Sequence, residues 1–126
     1  MKVIVIEPGK LAEVRDIPSE DSTQSYEAVR AIIGGYLEVL PISDIADAYI
    51  DEEAKCRNDR EPVFNELGDK VVWHLLAKSG RTLNTGDVIC NPIVIIGNRN
   101  AEGEFDGDWY DVPQSVIDEV MQIQKS

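Results

Sequence analysis

Apolar residues recur along this chain with two different periods. Met1 to Glu7 (MKVIVIE) is rich in β-branched side chains and is followed by Pro8-Gly9, which predicts a strand ending in a turn. Leu11 to Ile17 mixes apolar and charged positions and suits a hairpin partner for it. From Tyr26, the residues Tyr26, Val29, Ile32 and Ile33 fall at helical spacing. Gly34-Gly35 then stops that helix, because glycine accepts the left-handed conformation of a C-terminal cap. Tyr36 to Ile42 has strand composition, and Pro41, lacking a donor, belongs at its end or on a sheet edge. Ile45 to Asp51 predicts a further strand, and Glu52 to Glu61 (EEAKCRNDRE) a solvated loop.

Pro62 suits the first turn of a second helix. Phe64, Leu67, Val71 and Leu75 extend an apolar stripe that carries this helix to Lys78. Gly68 within it costs about 1 kcal/mol relative to alanine, which marks a point where the helix can divide. Ile93 to Ile96 is an uninterrupted apolar run, expected of a strand buried on both faces. Asn98 to Asp111 is a polar, acidic loop. Asp111 to Pro113 supplies the start of a last helix striped by Val116, Val120 and Ile123. The order of elements predicts one α+β domain over residues 1–126: a small mixed β-sheet with about three helices packed mainly on one face.

Charge narrows the function. The chain has 12 basic and 24 acidic side chains in 126 residues, a net charge of −12. That balance argues against free binding to a nucleic-acid backbone or to an anionic membrane. The longest apolar run is far too short to span a bilayer, and no signal-peptide pattern opens the chain, so the expected location is the cytoplasm of the cell in which the protein is made. Cys56 and Cys90, two distant cysteines, read as reduced thiols.

Candidate chemistry is sparse. His74 is the single histidine and reads as a half-buried structural residue of the second helix. Cys56 lies beside Lys55 and Arg57, which favour a thiolate, but no histidine is near in sequence; Cys90 reads as packed in the core. Glu102, Glu104, Asp106, Asp108 and Asp111 form the densest group of oxygen ligands, with Gly103 and Gly107 letting the chain turn. They do not complete a calcium loop: counted from Asn98 or Glu102, the closing bidentate position holds Trp109 or Pro113. No phosphate-gripping glycine loop is present. No catalytic set, metal site or cofactor is therefore expected. Arg57, Arg60, Asn65 and Arg81 are the candidate contacts for an anionic ligand, since arginine forks grip phosphate and amides bond bases or sugars.

Several segments together resemble an uncharacterised domain of small phage, plasmid and actinobacterial or Gram-positive proteins. They are VIVIEPGK, AVRAIIGGYLEVLPI, IDEEAK, the Pro62-x-x-Asn65 of PVFNEL, GDVICNPIVIIGNRNAEGEF and DVPQSVIDEV. Ala54 stands where the family usually has glycine. The resemblance implies a mobile-element setting and no particular reaction. Two readings are then open. In the first, a non-catalytic accessory protein counteracts bacterial immunity by sequestering a small nucleotide-like signal on Arg57, Arg60, Asn65 and Arg81, a task homo-oligomers would aid. In the second, Glu102, Glu104, Asp106, Asp108 and Asp111 dock on a nucleic-acid-binding host defence protein and imitate phosphate.

Overall fold

Strand β1 (Lys2–Ile6) sends alternate side chains to opposite faces, and both faces are covered. Val3 and Val5 enter one apolar cluster, while Ile4 and Ile6 enter another. This division runs through the whole protein. The computed structural model describes residues 1–52, 62–82 and 88–126. Along that chain follow β2 (Glu13–Asp16), α1 (Ser22–Ile33), β3 (Leu37–Pro41), β4 (Ala46–Asp51), α2 (Glu66–Lys78), β5 (Ile93–Gly97) and α3 (Gln114–Lys125).

The strands form one five-stranded sheet in the order β2-β1-β5-β4-β3. Every neighbouring pair is antiparallel, so the α+β class holds while the expected mixed sheet is purely antiparallel. The physical reason is short connection. Hairpins join β1 to β2 and β3 to β4, and hairpins can only link antiparallel strands. The helices divide between the faces. Helix α1 packs Val29 and Ile33 over Val3, Val5, Val94 and Ile96, while α2 and α3 cover Ile4, Ile6, Ile93 and Ile95 on the other side. Helix α1 carries the chain from the β2 edge to the β3 edge. Two helices thus share one face, and the third takes the face that the expected one-sided packing left bare.

Strand β5 is central, and all of its residues are buried, as its unbroken apolar run requires. Each such Ile or Val contributes roughly 1.5–3 kcal/mol through its removal from water. The edge strands are different. β2 reads Glu-Val-Arg-Asp, and β3 ends in Pro41 on the outermost position, where a missing donor costs no ladder bond.

Local departures from the periodicity have specific causes. Helix α1 begins at Ser22, because Asp21 caps it by accepting a 2.8 Å hydrogen bond from the Gln24 N–H. Its buried stripe is Ser25, Val29 and Ile33, which turns Tyr26 toward solvent. Helix α2 starts at Glu66, not at Pro62. Phe64 lies outside it, bridged to Cys90 in an extended segment and 51% exposed. His74 is exposed on α2, not half-buried, and Cys90 is only partly covered. The solvated loop expected to Glu61, with Cys56, Arg57 and Arg60, falls largely on residues 53–61, outside the described residues. Among the described residues, no helix is long and apolar enough to cross a membrane.

Candidate functional site

The acidic loop is the most organised surface feature. It leaves the central strand at Gly97 and returns to it at Tyr110. Gly97 N–H donates to the Tyr110 carbonyl at 3.0 Å, and Tyr110 N–H donates back at 2.9 Å. This two-bond closure fixes both ends of the loop on the deepest strand of the sheet. Beyond it, Val112 N–H donates to the Lys2 carbonyl, and Lys2 N–H donates to the Asp111 carboxylate at 2.8 Å. Asp111 is therefore used to hold β1, apart from the other carboxylates.

The loop interior is folded on Asn100. Its Oδ1 accepts from the N–H groups of Glu102 (3.0 Å) and Glu104 (2.9 Å). Its backbone closes a turn with Glu104 and Gly103. Gly103 and Gly107 have φ of 78° and 86°, the left-handed conformation that glycine adopts without strain. Asp106 completes the frame: it accepts from the Asp108 N–H at 3.0 Å, and also from the Tyr110 hydroxyl. Glu102, Glu104 and Asp108 remain exposed around this frame, with Phe105, 61% exposed, among them. Binding by a loop already ordered avoids most of the conformational cost of docking.

The Tyr110–Asp106 hydrogen bond shifts both groups. It pushes the Tyr110 phenol up to about 12. The same bond, helped by the Asp108 N–H, holds Asp106 below the usual carboxylate range. A carboxylate lowered by folding stabilises the loop above its ordinary titration range and loses that contribution as pH falls through the lowered value. The Asp106→Asn variant is expected to return the phenol to an ordinary value of ~10. Ultraviolet difference titration against Tyr110→Phe reads this directly, because the chain has only four tyrosines.

The residues expected to hold an anionic ligand are scattered. Asn65 is fully buried and caps α2 by accepting from the Gly68 N–H at 2.9 Å. Its Nδ2 donates to the carbonyls of Ile6 and Asn91, both at 2.9 Å. The structure thus gives Asn65 a different task from the ligand contact expected of it, and none of its side-chain polar groups is left over. Asn91 is likewise buried, with its Oδ1 accepting from Val63 N–H at 3.0 Å. Arg81 lies beyond the other end of α2 and donates to Asp44 at 2.9 Å. A helix of this length separates Asn65 from Arg81 by about 20 Å. They do not share a small-molecule pocket within one chain. Arg57 and Arg60 lie outside the described residues.

Arg99 joins Arg81 at Asp44 by donating to its backbone carbonyl at 2.6 Å, and its guanidinium lies 6.0 Å from the Phe105 ring centre. Burial pushes the nearby Asp47 carboxyl up, against the Asn98 hydrogen bond and the two arginines that pull it down. Among the described residues, no three His, Cys, Asp or Glu side chains are grouped to hold a metal ion. Sequence reasoning found the acidic residues of the loop but missed Phe105, Tyr110 and the aromatic residues behind them. A lone aromatic inside an acidic run was the available signal.

The fold and this loop define a small antiparallel α+β protein with a closed acidic projection on its central strand. Residues 1–122 match a domain of unknown function (DUF3846), and the chain belongs to that family. No match was found among curated proteins or among solved structures.

Proposed function

We propose that this protein is a non-catalytic binding protein of a mobile element. It acts in the bacterial cytoplasm, where its acidic loop docks on the basic, nucleic-acid-binding surface of a host defence protein. The observation that carries this reading is the prior ordering of the loop. The backbone N–H groups of Glu102, Glu104 and Asp108 are held by the side chains of Asn100 and Asp106, so their carboxylates project from a frame that is set before any partner arrives. The net charge of −12 adds a long-range field that speeds encounter with a basic groove. Sequestration of a nucleotide-like signal is less favoured, because Asn65 and Arg81 are committed elsewhere and far apart.

The test is binding to a panel of purified restriction and nuclease complexes across a salt titration. At least one complex is expected to associate, with affinity falling about tenfold or more between ~0.05 and ~0.3 M salt, and to be competed by duplex DNA. The double variant Glu102→Gln/Glu104→Gln is expected to slow association about tenfold. It leaves the fold intact, since these residues hold the loop through their backbone groups, not their carboxylates. Absence of association across the panel, or association indifferent to salt, overturns the reading.

A further inference from the structure

A cleft of about 630 Å³ opens where the acidic loop returns to the sheet, between the Ser19–Tyr26 segment and the Gly107–Tyr110 segment. One wall is aromatic. Tyr26, 39% exposed, stacks on Trp109 with ring centres 6.4 Å apart and planes 26° apart. The Trp109 ring is fixed from behind: its indole N–H donates to the Tyr49 hydroxyl at 2.7 Å, and the two rings meet edge to face at 4.9 Å. The cleft also carries the carboxylates of Glu20, Asp21 and Asp108.

The polar groups have distinct duties. Asp21 spends one oxygen on the cap of α1, which also meets the positive end of that helix. Among the described residues, no hydrogen bond or ion pair involves the side chains of Glu20 and Asp108. The amino group of Met1, which also borders the cleft, is turned to the Ile17 carbonyl at 3.0 Å and lies 3.9 Å from the Asp16 carboxylate. What remains is a negatively charged cleft with a rigid aromatic wall and two carboxylates without partners.

We propose that this cleft receives a guanidinium group, the side chain of an arginine on the basic partner. This deepens the docking reading above and rests on it. A guanidinium is planar and weakly hydrated, so it lies against an aromatic wall while its fork engages carboxylates. The ammonium of lysine is compact and strongly hydrated, and gains less from such a wall. The chemistry of the cleft therefore selects arginine over lysine, a preference that net charge alone does not create.

The experiment follows the Trp109 indole N–H in the full chain by nuclear magnetic resonance, with Trp73→Phe assigning the signal. The probes are a short blocked arginine peptide and a lysine peptide of equal length and charge. The arginine peptide is expected to shift the signal saturably, with at least threefold tighter binding than the lysine peptide. Tyr26→Ala and the double variant Glu20→Gln/Asp108→Asn, all at surface positions, are each expected to weaken it about fivefold. No shift, equal response to lysine, or indifference to both variants overturns the proposal. If salt-sensitive association that depends on Glu102 and Glu104 then persists, the cleft assignment fails and the docking reading stands. If Trp109 responds as expected and no basic partner associates, the docking reading fails alone.

Discussion

Alanine at position 97 is expected to destabilise the protein by about 3 kcal/mol or more, the upper end of what overpacking costs. A Cβ on Gly97 would lie 2.2 Å from the Asp111 carbonyl oxygen, 2.9 Å from its carbon and 3.0 Å from the Tyr110 oxygen. These are backbone atoms, so no side chain can swing aside. The chain at Tyr110 can retreat only by breaking both bonds of the loop closure, and Val112 ties the next residues to β1. Urea denaturation measures the loss, and the resonances of the Tyr110 ring and Trp109 indole report whether the loop has detached. An unchanged denaturation midpoint would show that the two backbones do not approach this closely. The substitution is also expected to weaken the docking proposed above, because the acidic loop loses its fixed base.

Asn65→Ala is the second large effect, about 3 kcal/mol. Loss of the α2 cap accounts for roughly 1 kcal/mol. The rest comes from the carbonyls of Ile6 and Asn91, which lose a buried donor at a cost of about 1–3 kcal/mol together. Asn65→Asp separates the two contributions. It keeps an acceptor for the Gly68 N–H but places a carboxylate against two carbonyl oxygens. Aspartate is therefore expected to be no better than alanine, although on an exposed helix it would be an equally good cap. Equilibrium denaturation of the three proteins distinguishes a simple cap, for which aspartate restores stability, from the three-way junction seen here.

That junction shows why part of the structure was readable from the sequence and part was not. The apolar run of β5, the stripe Val116, Val120 and Ile123, and the turn at Pro8-Gly9 are local patterns, and each marks a real element. Asn65 carries no such local mark. A polar residue near arginines reads as a surface contact, and only the packing of α2 against the ends of β1 and β5 buries it. Gly68 misleads for the same reason. Propensity makes it a weak point, yet α2 runs through it unbroken; glycine stands there because a Cβ would meet the Asn65 side chain at 2.7 Å. Phe64 continues the apolar stripe of α2 in sequence but sits before its cap, where the chain is extended toward Cys90. At the acidic loop, composition gave the charge but not the order. The loop's shape depends on Asn100, Asp106 and Tyr110 meeting across several residues, and on the bare backbone of Gly97.

Both outer strands of the sheet make poor templates for a neighbouring molecule. β2 presents Glu13, Arg15 and Asp16, and β3 ends in a residue with no N–H to give. Charge and proline at a sheet margin discourage the addition of further strands. Concentrated solutions are thereby protected from fibril growth that would start at the sheet edges.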